Sequence, residues 1–367
     1  MTNEEIFYLL ALQKVKNVGD ISAKKLLRHF GSARAVFEAV HDNAIDIPDI
    51  GKVMLQHIRS FDDWQRVETE MRYIEQNHLQ VVTIFDETYP YKLFHAPDGP
   101  ILFFVKGKVN LNHKHIISIV GTRNMTNYGK RMVAEIISGL KEYNPLIVSG
   151  LAYGVDVEAH LQALQHNLPT LGVLGHGFQR IYPGKHHKIA ERMLENGGLL
   201  TEFWHTDTVD RNNFLKRNRI VAGLSEATLI IESAQKGGAL VTADIANSYN
   251  RDVFAVPGRA SDMFSKGCNN LIKQNKAAVL TCAQDVIDML QWQPETVPER
   301  NRQLNLFVDL QPDEQQIFDL LQENGKMSLD EIGVRLQFSV SKTARLLLQM
   351  EMNGVIAGLA GKMFELV

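Results

Sequence analysis

The chain has 367 residues, of which 45% are hydrophobic and 22% are charged, and these proportions are typical of a globular protein with a real apolar core. At this length two or three domains are expected. The formal net charge of -3 excludes a global basic field, so any contact with nucleic acid must be made by a local patch. Two cysteines, Cys268 and Cys282, are too few for a disulfide framework or a four-thiolate zinc site.

The sequence contains no pattern that directs a protein into or across a membrane. The N-terminus lacks a basic region followed by an apolar run, which predicts that there is no signal peptide. No stretch approaches the roughly 18 apolar residues that a membrane span needs. We therefore expect a cytoplasmic protein with no membrane partner.

Residues 1–78 predict a small helical domain. Glycine turns at Gly19 and Gly51 each lead into a short helix, a pattern that resembles helix-hairpin-helix or SAM-like units, whose turn amides can approach a DNA phosphate. Such units also serve as plain structural bundles, and we expect that role here. A longer helix is predicted over residues 62–78, where apolar residues recur at helical spacing.

Residues 79–290 change to short apolar runs that alternate with helical segments. Two runs, at 81–85 and 101–105, come first. Seven more follow, at 116–120, 146–148, 170–174, 198–201, 227–231, 253–256 and 278–280. Continuous apolar strands separated by helices predict a parallel sheet that is covered on both faces, and ligands bind such sheets at the carboxyl ends of the strands. The fold class is therefore α/β, with an extended Rossmann-like core.

A polar, proline-bearing linker is predicted over residues 291–311, and a winged-helix domain over 312–367. In this last domain three helical segments precede a short hairpin. From Gln311 to Val367 there are five basic and eight acidic residues, so the net charge is 5 - 8 = -3. A helix that reads the major groove needs a basic face, so we do not expect this domain to be the main DNA-binding element.

Several predicted strands end in glycine followed by polar or basic residues. The first ends in Gly121-Thr122-Arg123, where backbone amides can form an anion-binding nest and the arginine adds a cation. After the second strand, Asp156 is expected to cap the next helix. A later glycine-rich helix start carries Lys236 and Thr242 within reach of an anion.

The stretch that begins at Asn213 places an aromatic residue, Phe214, among three cations: Lys216, Arg217 and Arg219. Guanidinium groups bind phosphate oxygens, and an aromatic face can stack on a base. The alternative is a solvated helix start whose Phe214 packs inward. The sequence contains no Gly-x-Ser-x-Gly, His-Glu-x-x-His or paired-carboxylate signature. The pattern therefore favours a site that holds an extended polyanion, without a cofactor or metal, over one that breaks a bond.

Together these motifs resemble the DNA processing protein A family (DprA, also called Smf) over almost the whole chain. The motifs are Gly121-Thr122-Arg123, Ser149-Gly150-x-Ala152-x-Gly154-x-Asp156, Gly175-x-Gly177, Tyr182-Pro183, Phe214-x-x-Arg217-Asn218-Arg219 and Ala255-Val256-Pro257-Gly258. The resemblance implies a homodimer that binds single-stranded DNA, protects incoming strands during natural transformation, loads the RecA recombinase, and has no catalytic turnover. The chain departs from the family at Leu215, where proline is common, and at Lys276, where glycine is common.

The resemblance also implies which residues bind DNA. They are Gly121, Thr122, Arg123, Arg211, Phe214, Arg217, Asn218, Arg219 and Arg251. The main alternative is a Rossmann-type nucleotide-processing enzyme that cleaves a base from a ribose phosphate. Such enzymes carry Pro-Gly-Gly-x-Gly-Thr-x-x-Glu, whereas the matching stretch here, which runs from Lys236 to Ala243, has leucine and valine where that motif has its last glycine and its threonine.

Overall fold

A computed structural model describes residues 2–40, 47–293, 310–353, 355–359 and 363–366. The chain divides into two compact units, Met1–Glu295 and Thr296–Val367. The first unit combines a helical bundle with a nine-stranded sheet, and these cluster together, so the predicted boundary between 78 and 79 stays a prediction. The predicted linker, 291–311, lies mostly outside the described residues.

The N-terminal bundle is built from five helices. They are α1 (Asn3–Lys14), α2 (Asp20–Phe30), α3 (Ala33–Ala39), α4 (Lys52–Arg59) and α5 (Trp64–Gln76). Gly19 and Gly51 stand at the N-caps of α2 and α4. The start of α2 faces the sheet, because Asp20 Oδ1 accepts a hydrogen bond from the Ile101 amide at 3.0 Å. Asp20, directly after this glycine turn, therefore packs against the sheet, and the structural role of the bundle stays a prediction.

The sheet of the first unit contains nine strands. They are β1 (Gln80–Thr83), β2 (Leu102–Gly107), β3 (Ile116–Val120), β4 (Leu146–Ser149), β5 (Thr170–Val173), β6 (Gly197–Thr201), β7 (Ala227–Ile230), β8 (Asp252–Ala255) and β9 (Ala278–Val279). Their spatial order is β1-β2-β6-β5-β4-β3-β7-β8-β9. Strands β3 to β9 pair in parallel, whereas β1 and β2 extend the edge beside β6 in antiparallel fashion. The predicted α/β fold is confirmed.

Helices cover both faces of this sheet, as the continuously apolar strands require. They are α6 (Tyr91–Phe94), α7 (Asn127–Leu140), α8 (Val155–Gln165), α9 (His187–Met193), α10 (Arg211–Leu224), α11 (Gly238–Ser248), α12 (Lys266–Lys273) and α13 (Ala283–Leu290), with short 3-10 turns at Lys141–Tyr143 and Gly184–His186. Core residues of α10, α11 and α12 pack on one face, and those of α7, α8 and α13 pack on the other.

The order of the strands reverses between β3 and β7. From β3 the chain moves outward through β4 and β5 to β6, and α10 then carries it back to β7 on the other side of β3. In open parallel sheets such a reversal leaves a crevice outside the carboxyl ends of the strands, and this crevice is the usual ligand site. Helix α10 begins at that edge.

The second unit is a small winged-helix domain. Its elements are α14 (Pro312–Asn324), β10 (Met327–Ser328), α15 (Leu329–Leu336), α16 (Val340–Met352), β11 (Ile356–Leu359) and β12 (Met363–Leu366). The three strands pair in the order β10-β12-β11. On α16, Lys342 forms an ion pair with Asp313 at 2.8 Å, which neutralises one of the few cations on the third helix. Across the part of the chain that the structure describes, no helix is long and apolar enough to cross a membrane.

Candidate functional site

A cavity of about 640 Å³ lies at the crevice between β3 and β7. Its walls are the segments that follow β3, β4 and β7, together with the first two turns of α10 and the start of α11. The sequence placed its glycine-rich motifs at these strand ends. Because the strands are parallel, the motifs meet at one edge of the sheet.

The loop after β3 is held tightly against its neighbours. The Thr122 amide donates a hydrogen bond to the Glu232 carbonyl at 2.8 Å, and the Thr122 carbonyl accepts one from the Val155 amide at 3.2 Å. Gly154 has a φ of 77°, and a Cβ there would collide with the backbone of Thr122 and Arg123. Glycine is required at this position, because it allows the Gly121-Thr122-Arg123 loop to pack onto the start of α8.

Arg217 forms the floor of the cavity, where its side chain is buried. Its Nη1 donates to the Gly150 carbonyl at 2.7 Å and also to the Val173 carbonyl. These carbonyls follow β4 and end β5, so the guanidinium ties two strand ends together. A Cβ on Gly150 would overlap the guanidinium, which explains the glycine at this position.

Asp156 lies beside this floor and does not cap α8, so the cap prediction is wrong. The N-cap of α8 is Gly154, and Asp156 is already the second helical residue. Its Oδ2 accepts a hydrogen bond from the Gly150 amide at 3.2 Å, so the carboxylate turns inward toward Arg217. The reason is the tight turn at Gly154, which starts the helix two residues earlier than the motif indicated.

Burial shifts the protonation equilibria of this pair in opposite directions. Loss of hydration lowers the pKa of Arg217 to about 10, and the nearby Asp156 carboxylate opposes that shift. Burial likewise raises the pKa of Asp156, and the guanidinium opposes it. At pH 7 Arg217 remains a cation, so the floor supplies a fixed positive charge close to the backbone amides of the strand ends.

The rim of the cavity carries three further cations, Arg123, Arg211 and Lys236, all of them exposed. Among the residues that the structure describes, no carboxylate forms an ion pair with any of the three, whereas Arg217 has Asp156 beside it. A second acid on the rim, Asp210, caps α10 by accepting a hydrogen bond from the Asn212 amide at 2.7 Å. The rim is therefore locally positive on a chain whose net charge is -3.

Phe214 lies half-buried on the same side of α10 as Arg211 and Asn218, because residues three and four apart share a helix face. The Arg123 guanidinium lies 5.7 Å from the centre of its ring. A Cβ on Gly175 would touch that ring, so the glycine makes room for it. Phe214 is therefore partly packed and partly exposed, and neither of the two predicted alternatives describes it fully.

The structure separates Arg219 from the cavity, so the prediction that grouped it with Arg217 needs correction. Two residues along a helix correspond to a rotation of roughly 200°, which turns Arg219 to the opposite side of α10. There its Nη1 donates to the Asp98 carbonyl at 2.6 Å, and Nη2 pairs with Asp20 at 3.1 Å and with Glu202. This guanidinium joins α10 to the N-terminal bundle.

Arg251 is also remote from the cavity, and its predicted place there needs the same correction. It immediately precedes β8, and therefore lies at the amino edge of the parallel strands, opposite the crevice. Its Nη2 donates to the Lys92 carbonyl at 2.9 Å.

Seven of the nine predicted residues line the cavity: Gly121, Thr122, Arg123, Arg211, Phe214, Arg217 and Asn218. Lys236 and Thr242, which the sequence placed near an anion but outside the predicted set, line it too. The prediction missed the cap at Asp210 and the ring of Tyr182, whose centre lies 5.9 Å from that of Phe214. The aspartate immediately before the first helical residue, Arg211, was an available signal for the cap.

Comparison with known protein families gives two matches. Residues 80–291 match the sequence profile of the family described as DNA recombination-mediator protein A, and residues 308–362 match that of the DprA winged helix domain.

Two curated proteins illustrate the relatedness over the full length. The chain is 30% identical to Protein Smf of Synechocystis sp., in an alignment that covers 100% of both chains. It is 32% identical to Protein Smf of Escherichia coli K12, over 90% of this chain and 89% of that protein.

Two solved structures share the fold. DNA processing protein A from Streptococcus pneumoniae superimposes with a TM-score of 0.65 at 29% identity, covering 78% of this chain and 98% of that one. DNA processing protein A from Helicobacter pylori, a structure that gives insight into the single-stranded DNA binding mode of that protein, has a TM-score of 0.53 at 29% identity and covers 58% and 97% respectively.

Proposed function

Because this chain belongs to the DNA recombination-mediator protein A (DprA/Smf) family, we propose that it binds single-stranded DNA in the strand-end cavity. The observation that carries the proposal is the lining of the cavity, where three exposed cations and a partly exposed aromatic ring occur together on a chain whose net charge is -3. Phosphates supply the matching negative charge, and unpaired bases supply faces that can stack.

Different residues serve different parts of the strand. Arg123, Arg211 and Lys236 reach phosphate oxygens from the rim, while the amides of the loop at Gly121 and Thr122 add hydrogen-bond donors. Arg217 contributes a buried positive charge and holds the strand ends in place. Phe214 stacks on a base, which requires that the base be unpaired.

The proposal extends to the partners that recombination mediators serve. We infer that the protein acts in the cytoplasm as a homodimer, that it protects single strands taken up during natural transformation, and that it loads RecA onto them. Support for these steps comes from family membership, whereas support for DNA binding comes also from the cavity.

We propose binding without turnover, in preference to cleavage of a nucleotide. When the two glycines of that motif are matched to Gly237 and Gly238, the place of the catalytic glutamate falls on Asp244, which is exposed and forms an ion pair with Lys276 at 2.8 Å. Asp244 is not among the residues that line the cavity. Base release from nucleoside monophosphates should therefore equal that of a buffer blank. Release that depends on the protein and is lost on mutation of a cavity residue would favour the enzyme instead.

The direct test is a titration of single- and double-stranded oligonucleotides of equal length at several salt concentrations. We expect tighter binding of the single strand, with a slope of log affinity against log salt that reports the number of phosphates bound, about -0.7 for each. Arg123→Ala should weaken binding and reduce the magnitude of that slope by about 0.7.

Lys141→Ala is the matched control, since Lys141 is exposed at the far end of α7. It removes the same charge from the protein as a whole and should leave the slope unchanged. Equal slopes for the wild type and Arg123→Ala would remove Arg123 from the interface, and a preference for duplex would overturn the proposed function.

A further inference from the structure

Two tyrosines lie next to the cavity, on the far side of Phe214. They are Tyr153 and Tyr182, whose relative exposures are 41% and 42%. Together with Phe214 and Arg123 they line a small cleft that continues directly from the cavity. Contiguous exposed apolar surface often marks an interaction site, and this group of three partly exposed rings begins at the ring that we assign to base stacking.

The backbone of Tyr182 is hydrogen-bonded to a buried histidine. Its amide donates a hydrogen bond to Nε2 of the buried His176 at 3.2 Å. The Tyr182 ring lies 5.9 Å from the Phe214 ring, and the two planes are tilted by 46°. The two rings are therefore neighbours whose planes are not parallel.

Tyr153 is held by a different contact. Its ring meets the ring of His186 edge to face, with centres 5.0 Å apart. His186 is itself buried, with Nδ1 donating to the Leu151 carbonyl at 2.8 Å. Tyr153 therefore packs on a buried side chain, and the rest of its surface remains exposed to solvent.

We propose that Tyr182 and Tyr153 form a second base-stacking surface, so that the bound strand leaves the cavity over Phe214 and continues across the two tyrosines. This inference rests on the proposed function and names the path of the strand beyond the phosphate site. The ligand is an unpaired nucleobase of any kind, since every base presents a flat π-face. A protein partner would be a competing use of the same rings. The continuity with the cavity through Arg123 and Phe214 favours the strand.

The expected effect is a loss of affinity without a change in its salt dependence. Stacking on one aromatic side chain changes affinity by about 5- to 150-fold per base. Tyr182→Leu should weaken the binding of a single strand within that range and leave the slope against log salt unchanged, because no phosphate contact is lost. Tyr182→Phe should bind like the wild type.

The decisive comparison uses two oligonucleotides of equal length, one ordinary and one in which every nucleotide is abasic. On the ordinary strand, Tyr182→Leu and Tyr153→Leu should each bind more weakly than the wild type. On the abasic strand they should bind equally well, because there is no base to stack. Tyr91→Leu is the control, since Tyr91 is 70% exposed on α6, away from the cavity, and should match the wild type on both strands.

Arg123→Ala, measured alongside, separates failure of this inference from failure of the proposed function. If Arg123→Ala binds weakly while both tyrosine variants bind like Tyr91→Leu, the proposed function stands and the second surface is wrong. If the tyrosine variants lose as much affinity on the abasic strand as on the ordinary one, their effect is structural and the inference is overturned. If Arg123→Ala and the tyrosine variants all bind like the wild type, the cavity and its extension both fail.

Discussion

The two sides of α10 place the same residue type in opposite roles. On one side Arg211, Phe214 and Asn218 face the cavity, above the buried Arg217. On the other side Arg219 is bound by Asp20, Glu202 and the Asp98 carbonyl. An arginine whose charge is already matched by two carboxylates has little left to offer a phosphate. Basic residues that are close together in a helical sequence must therefore be assigned to the faces of the helix before their charges are assigned to a ligand.

A second difference concerns burial. Arg217 and Arg219 are both largely buried, and their partners are hidden from water as well. Removing one member of such a buried pair leaves an uncompensated charge, whereas removing an exposed cation exposes nothing new. The buried arginines should therefore contribute chiefly to stability, and the rim cations chiefly to binding.

The largest expected effect is on stability at the Arg219 side. Arg219→Ala leaves the carboxylates of Asp20 and Glu202 close together without their cation, and it should lower the free energy of unfolding by about 3–5 kcal/mol. Urea denaturation at pH 7 measures this. Arg123→Ala, an exposed control, should change stability by less than about 0.5 kcal/mol. Equal stabilities for the two variants would show that the buried Arg219 contributes no more to stability than the exposed Arg123.

The next largest effect is expected at Phe214. This residue is half-buried, so it can contribute both to stability and to binding. Phe214→Ala should weaken single-strand binding by roughly 1–3 kcal/mol, the range for base–aromatic stacking. If the ring serves only packing, the variant should instead lose about 3–5 kcal/mol of stability and bind normally at low temperature. Binding titrations below the melting temperature, together with a denaturation curve, decide between these outcomes.

A finer comparison sets Arg217 against Arg123 by the salt dependence of binding. Arg217→Ala should weaken binding because the ends of β4 and β5 lose the hydrogen bonds that the guanidinium donates to Gly150 and Val173. The slope of log affinity against log salt should stay that of the wild type. For Arg123→Ala the slope should shift by about 0.7. A flattened slope for Arg217→Ala would mean that its buried guanidinium also reaches a phosphate, which would bring it back among the direct DNA contacts.

The smallest expected effect comes from the second unit. Its net charge is -3, and Lys342 on its third helix is paired with Asp313. Deletion from Asn305 onward should leave single-strand affinity within a few-fold of the intact protein, as expected if this unit contacts proteins or regulates binding. Loss of binding by a truncated protein whose first unit remains folded would show that the acidic unit contributes to the interface.

The sheet, and the edge at which the cavity lies, can be predicted from the amino-acid sequence alone. Short apolar runs specify strands that are buried on both faces, and glycines at their ends specify tight turns, so both features can be recognised within a few residues. The convergence of Gly121, Gly150 and Gly238 then follows from the parallel arrangement, because the carboxyl ends of parallel strands share one edge. Gly121, Thr122 and Arg123 reached the cavity for this reason, and the other four predicted residues that line it lie on α10, which begins at the same edge.

Which cations remain available to a ligand depends on contacts between segments that are distant in the sequence. Asp20 lies 199 residues from Arg219 in sequence, and it meets the guanidinium only because the N-terminal bundle docks against α10. The inward turn of Asp156 depends likewise on the buried guanidinium of Arg217, which comes from another element of the fold. Local sequence sets the helix face on which a side chain lies. Packing between distant segments then determines which charged partner meets that side chain, because electrostatic pairing depends on distance in space and on burial.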